Sequence, residues 1–487
     1  MDLGKGKGKG AIGSRSRLGF VWMALRLTVA AALEAESAIE ASLREAFESL
    51  QPSLRPPFSL AIPSPDQYAL LNRAILHAVL TEPHFAVTHF KHLHALVTDG
   101  YASFVHLILN LVLLLFPKLL PSVKTQLLWA THQTVRLSAI GYDAVLFSLF
   151  RHISAADYTE PNLSLCFQLV TLFFEQFHRL LEDAPHLFSF ALYTFLRVLA
   201  DHSRVTLQQL EPLKRLEIHL CVKILREHFH LCFKIGRDII RLLQDLIHVP
   251  EFKAILQDIV YNPSAFNVVG FKFNDVSQIF STRTSSRYSL LRISPEMETQ
   301  LRFLLTNIKL GHQKRHQLWF ANKFLNEPDK EFLIVDIVRF ICCAHHPPNE
   351  IIQSDIVPRW ALIGWLLTCC RRNHAMANVK LALFYDWLFF DERVDNLMNI
   401  EPALLLMVHS VPKYVEITHA LLEFLLHLVD NYDVERKTII VKGVSSAFQL
   451  LVRKGVVPSL DILTSCSALN PGLREGLKRL VSGGTAG

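Results

Sequence analysis

Apolar and polar positions along this chain alternate on a helical period. After RPPFSLAIPSPDQ, a break carrying four Pro, apolar segments follow one another. Short interruptions divide them, among them TEPH (81–84), TDG (98–100), FPKLLPS (116–122), EDAPH (182–186), VPEF (249–252), NEPDK (326–330), HHPPNE (345–350) and VPK (411–413). The segments are roughly 12–22 residues long, the length of globular helices. Pro near segment starts and Asp, Asn, Ser or Thr at capping positions account for many interruptions. In SPEME (294–298), Ser294 reads as an N-cap, Pro295 as the first helical residue, and Glu296 and Glu298 as first-turn acids. TVAAALEAESAIEASLREAFESL (28–50) reads as one amphipathic helix.

Two segments are unusually apolar. FVHLILNLVLLLF (104–116) holds only His106 and Asn110 as polar residues. It falls short of the about 20 residues that a membrane span needs, and reads as a helix buried on nearly all sides. In KLALFYDWLFF (380–390), Leu381, Phe384, Tyr385 and Leu388 share one face, while Trp387 and Phe390 cover another. Strand signals are nearly absent, and AFNVVGFKFNDV (265–276) reads as a loop. The pattern predicts an all-α fold, an irregular α-solenoid of stacked antiparallel helix pairs, HEAT-like but without a strict period. Expected divisions are a basic Gly-rich disordered tail (1–27), a helical segment (28–261) and an irregular connection rich in Ser, Thr and Arg (262–293). A second helical segment (294–483) and a disordered end (484–487) complete the chain. Trp360, Trp365, Phe384, Trp387 and Leu388 are assigned to the structural core, with Gly364 allowing a close helix crossing.

Composition sharpens this picture. With 487 residues, 51% hydrophobic and 19% charged, the chain has ample apolar surface for a core. A net charge of +6 is mild and does not by itself indicate nucleic-acid binding. The eight Cys lie in apolar helical runs without disulfide-like spacing, which points to a reducing compartment. No acid occurs between Asp2 and Glu34, so an organellar presequence is one reading of the N-terminus, and residues 18–33 with 104–116 support a membrane or organellar alternative.

Candidate chemistry is sparse. Cys342, Cys343, His345 and His346, with Cys369, Cys370 and His374 further on, supply zinc-type ligands. Adjacent Cys on a helix diverge by about 100°, however, and lack the spacing of a closed site. Asp386 has no partner carboxylate at catalytic spacing. A buried Asp is costly unless paired, and Arg359 or Arg339 is the expected partner. No nucleophile elbow, phosphate loop or HExxH helix is present, so no catalytic residue, cofactor or metal is assigned. Lys309, His312, Lys314, Arg315, His316 and Trp319 form a basic-aromatic cluster, with Arg283, Arg287 and Arg292 upstream. Such a cluster suits single-stranded nucleic acid, an acidic protein partner or a solvated helix face, and all three stay open.

PEMETQLRFLL, GHQKRHQLWF, HPPNEIIQSDIVPRWALIGWLLTCC, NVKLALFYDWLFF and MNIEPALLLMVHS together resemble the N-terminal half of the Integrator complex subunit 3 family. LHALVTDGY, LRVLADH and GRDIIRLLQDLIHVPEF extend the resemblance, which runs from about residue 28 to 482 and is densest over 283–410. The N-terminal version is similar to plant members. The resemblance implies a non-catalytic nuclear scaffold, with the cytoplasm also open. Its implied partners are other Integrator subunits, a small OB-fold single-stranded DNA-binding protein and a short third subunit, with DNA contact indirect and no membrane. Implied processes are small nuclear RNA 3′-end processing, transcription by RNA polymerase II and the DNA damage response. Family members continue into an acidic linker and a second helical half, which this chain is expected to lack. The alternative is direct nucleic-acid binding through 283–324. Burial of KLALFYDWLFF on two faces predicts that Trp387→Ala costs about 3–5 kcal/mol. Thermal melting checks this, and an unchanged melting temperature together with lost partner binding would make the helix an interface instead.

Overall fold

The structure is a computed structural model that describes residues 26–29, 36–58, 61–154 and 156–482. Of the tail expected over 1–27, residues 1–25 lie outside the described residues, as do the end at 484–487 and the presequence reading, whereas Leu27 is fully buried. Among the described residues there are 26 α-helices and no strand, and three isolated β-bridges are the remaining pairings. The all-α solenoid class expected from the pattern is therefore present. Two compact units are delimited: residues up to His152 with Thr171–Ala184, and Ile153–Val170 with the residues from Pro185 onward. The irregular stretch 262–293 belongs to the second unit.

The first unit is built from α1 (Ala38–Leu50), α2 (Pro65–Thr81), α3 (Ala86–Leu96), α4 (Ala102–Leu114), α5 (Pro121–Arg136) and α6 (Tyr142–Phe150). α2 is central, packing on α1, α3, α4 and α5, and its residues Ala74–Leu80 are all buried. Ser64 and Gln67 close a capping box at its start, which satisfies two otherwise orphaned amides. The helix expected over 28–50 is shorter at its start, since α1 begins at Ala38 with Ser37 as cap. Leu27 and Thr28 instead run against Leu119 and donate to Glu40, Leu27 N at 2.7 Å and Thr28 Oγ1 at 2.7 Å. A buried carboxylate needs such donors, and the extended segment supplies them. α4 also departs from expectation. It packs on α2, α5 and α6 by one side only, leaving Leu113 and Leu114 exposed. No helix among the described residues is long and apolar enough to cross a membrane.

The second unit contains α7 (His186–His202), α8 (Glu211–Glu227), α9 (Asp238–Asp245), α10 (Ser286–Leu290), α11 (Pro295–Asn307), α12 (Lys314–Phe324), α13 (Leu333–Cys343), α14 (Arg359–Thr368), α15 (Asn373–Leu388), α16 (Leu397–Ser410), α17 (Val415–Asn431), α18 (Lys437–Arg453) and α19 (Pro471–Val481). Several sequential helices lie side by side, as α7 with α8, α15 with α16, α16 with α17 and α17 with α18. Ser294 caps α11 by accepting from Met297 N, with Pro295 in the first turn, as its sequence indicated. Residues 265–276 form no strand. A tight turn through Gly270 joins Val268 to Phe271, and Phe266 and Phe273 pack on Phe229.

α13 and α15 form the centre of this unit. All eleven residues of α13 are buried, and α15 packs on α13, α16, α17 and α18. Phe384, Trp387 and Leu388 are fully enclosed. The Trp387 indole donates to Ile400 O at 3.2 Å and meets Phe448 edge-on. Trp360 and Trp365 are only half-buried, because α14 presents Leu362, Ile363, Leu366 and Leu367 inward. Gly364 does face a close crossing, with Leu406 at 3.0 Å from a built Cβ. Gly443 on α18 is tighter still, since a Cβ there would lie 2.7 Å from Leu388 O. The obstacle is backbone at the end of α15, which cannot rotate away. Gly443→Ala is therefore expected to destabilise by about 1–3 kcal/mol, the range for overpacking, where the same change at an exposed helical Gly would stabilise; urea unfolding of Gly443→Ala beside the parent chain checks the sign.

Candidate functional site

Two features of the second unit concentrate its polar chemistry: an ionic network inside and a basic-apolar helix face outside. Inside, Asp336 on α13 accepts from Arg197 Nε of α7 and from Arg292 Nε, each at 2.9 Å. One turn on, Arg339 donates to Asp386 of α15 at 2.9 Å and to Asp238 of α9 at 3.2 Å. Arg237 reaches Asp386 at 3.5 Å and Asp395 at 3.1 Å, and Tyr193 donates to Asp238 at 3.1 Å. Cys343 Sγ and Asn399 Nδ2 add donors to Asp386. Gly236, at φ +74°, turns the chain so that Arg237 N meets Thr282 O, and any Cβ there would collide with that carbonyl.

Burial alone pushes the Asp386 carboxyl up, but Arg339 and Arg237 outweigh it and hold the group down at about 2. Burial opposes ionisation of Asp336 and Asp238 too, and their guanidinium partners bring both below the usual carboxylate range. Asp395 goes the other way, since burial raises it and Arg237 compensates only in part. The network's geometry is that of a structural lock, in which Asp336 and Asp386 each lie between two guanidiniums.

Outside, α12 buries Gln317 and Phe320 and exposes Lys314, Arg315, Leu318 and Trp319. Lys309 and His312 are exposed on the preceding turn, and Lys309 pairs with Asp355 at 2.8 Å. Lys323 pairs with Glu296 and lies over the Trp319 ring. Phe303, Leu310, Leu318 and Trp319 leave 42%, 48%, 61% and 44% of their surface exposed. Arg283 and Arg287 are exposed but stand by α10, which packs on α13 rather than on α12. Arg292 is buried on Asp336 and is not a surface cation.

Asp386 pairs with Arg339, one of the two partners its sequence context suggested. Arg359, the other, instead donates to Glu401 at 3.0 Å and Met398 O at 2.8 Å. Cys342 and Cys343 are buried in α13, and His346 Nε2 bonds back to Cys342 O. Among the described residues no group of three His, Cys, Asp or Glu is placed to hold a metal. The network members beyond Asp386 and Arg339 escape a motif search. Their signal is a charge on the apolar stripe itself, as in FLRVLADH, GRDIIRLLQD and LIVDIVRFICC.

Stacked helices around an ionic core, with an apolar-basic outer face, define an all-helical repeat protein. A family model described as Integrator complex subunit 3 N-terminal matches residues 66–479. The chain is 36% identical over 414 residues to Integrator complex subunit 3 of Mus musculus, covering 85% of this chain and 39% of that one. It is 36% identical over 401 residues to the Homo sapiens protein of that name, covering 82% and 38%. With the Integrator complex subunit 3 homolog of Drosophila erecta the identity is 34% over 458 residues, covering 92% and 42%. The chain belongs to the Integrator complex subunit 3 N-terminal family, and spans about two fifths of the length of these relatives.

The lock sets a pH dependence. An unfolded Asp titrates near 3.9, and the fold holds Asp386 at about 2. A depressed carboxyl contributes stability that is complete above the unfolded value and is lost as pH falls through the folded one. Stability is expected to fall between about pH 4 and 2, less steeply in Asp386→Asn. That variant should cost about 3–5 kcal/mol at neutral pH, because Arg339 and Arg237 each lose one of two buried carboxylate partners. Denaturant midpoints across pH measure both effects.

Proposed function

We propose that this chain is a non-catalytic scaffold of Integrator type, and that the α11–α12 face docks a protein partner. The observation that carries the docking reading is the exposed set Phe303, Leu310, Leu318 and Trp319 beside Lys314 and Arg315. Aromatic and apolar anchors ringed by charge are the composition of a protein interface. The family supports the Integrator reading, since the matched relatives are named as subunits of that complex. The partner we assign is a small OB-fold single-stranded DNA-binding protein, together with a short third subunit. DNA is then held by that partner, and the complex acts in the nucleus in RNA 3′-end processing and in the DNA damage response.

Direct nucleic-acid binding through 283–324 is the weaker reading. Arg292 faces inward, and Lys309 and Lys323 already have acidic partners. Light scattering after size exclusion, with the host's OB-fold protein, tests the scaffold reading. A stable heterocomplex is expected, and Trp319→Ala with Leu318→Asp should weaken it by about 2 kcal/mol or more without unfolding the chain. DNA binding by the chain alone that weakens steeply with salt would favour the second reading.

A further inference from the structure

A groove of about 400 Å³ opens between α3 and α5 of the first unit. That volume lies within the about 300–1,000 Å³ of ordinary binding clefts. Both helices pack on α2, which leaves a furrow between them. α3 contributes Val87, Phe90, Lys91 and His94, the i, i+3, i+4 and i+7 positions of one helical face. α5 contributes Trp129 and Arg136, with Leu137 just past its end. Phe90 is buried and meets Trp129 edge-on, with ring centroids 6.0 Å apart, so aromatic carbon closes the floor. Val87 and Leu137 leave 53% and 38% of their surface exposed, which places further apolar carbon at the mouth.

The fixed charge along this groove has one sign. Lys91 and Arg136 are exposed, and the lining contains no carboxylate. Arg136 donates to Gln133 Oε1 at 3.4 Å, and among the described residues neither Lys91 nor Arg136 reaches a carboxylate. The acids that flank the two helices are engaged elsewhere. Asp99 accepts from Tyr68 Oη at 2.7 Å and from Ser103 N at 2.8 Å, and Glu175 lies 2.8 Å from His132 Nε2. On α12, by contrast, Lys309 and Lys323 have acidic partners. From Val87 to His94 the groove runs about two helical turns, roughly 10 Å. An apolar furrow of that length with a basic rim is complementary to an amphipathic helix, which lays i, i+3, i+4 and i+7 anchors on the floor. Acidic residues on the flanks of that helix meet the rim and set its orientation.

We propose that the α3–α5 groove docks an acidic amphipathic helix of a partner protein. Two turns of its apolar side chains lie on Phe90, Trp129, Val87 and Leu137, and its Asp or Glu side chains pair with Lys91 and Arg136. The site is separate from the α11–α12 face and does not depend on what binds there.

The test is fluorescence anisotropy of the whole chain with a labelled peptide of about 14 residues, four helical turns. The peptide carries Leu and Phe at i, i+3, i+4 and i+7 and Glu on both flanks. Two counterparts are compared with it: one with Lys in place of Glu, and one of the same composition with its apolar residues scattered around the helix. Saturable one-to-one binding of the acidic peptide is expected, about tenfold tighter than either counterpart. Val87→Asp, which puts a carboxylate at the apolar mouth, should weaken it by about tenfold or more. Lys91→Glu combined with Arg136→Glu should reverse the preference, so that the Lys peptide binds better than the Glu peptide. All three positions are exposed, and circular dichroism with thermal melting verifies the fold of each variant. Leu318→Asp on α12 should leave peptide binding unchanged, which separates this groove from the α11–α12 face. Absence of saturable binding, equal binding of the scattered peptide, unchanged affinity in folded Val87→Asp, an unreversed preference in the folded double variant, or loss of binding in Leu318→Asp overturns the proposal. A single-stranded oligonucleotide whose binding is lost with Lys91→Glu, or a dimer on light scattering that Val87→Asp abolishes, also overturns it, since the groove would then belong to nucleic acid or to a second copy of the chain.

Discussion

Asp336 and Asp386 sit at the centre of the second unit, each between two guanidiniums, on helices that are otherwise apolar. A charge in such a place is tolerated only with a partner at short range, and each partner comes from a different element. α7, α9, the segment around Arg292, α13 and α15 must therefore meet in one register. An apolar core tolerates volume-conserving repacking at modest cost. A chain of alternating Arg and Asp does not, because one slip leaves several buried charges bare. The network thus contributes registry more than net stability, and the close helix crossings are consistent with that demand. Gly236 and Gly443 admit backbone where side chains would hold the elements apart.

The same network separates inside from outside. The buried arginines are consumed by carboxylates. What remains exposed on α11 and α12 is apolar and aromatic with a thin basic rim. This division favours protein docking on the outer face over phosphate tracking along it.

Helix existence was legible because period and capping act locally. Ser294, Ser64 and the Pro-marked breaks specify starts without reference to anything distant. The all-α class and the burial of Phe384, Trp387 and Leu388 followed from periodicity and apolar density. Asp386 is recognisable as a buried carboxylate in need of an Arg, and Arg339 is one of the two partners its sequence context suggests.

What the local pattern left open depends on distance in space. Arg339 and Arg359 look alike along the chain, and only packing sends one to Asp386 and the other to Glu401. Arg292 reads as one of several surface cations until α13 brings Asp336 beside it. Leu27 reads as tail and Thr28 as helix, yet both donate to the buried Glu40 carboxylate and run beside Leu119. Exposure of Leu113, Leu114 and Trp319 likewise depends on which neighbour is present or missing. The sequence by itself determined the helices, their caps and the apolar supply. Tertiary structure alone decided the pairing of charges and the free faces, because both are set by contacts between residues far apart in the chain.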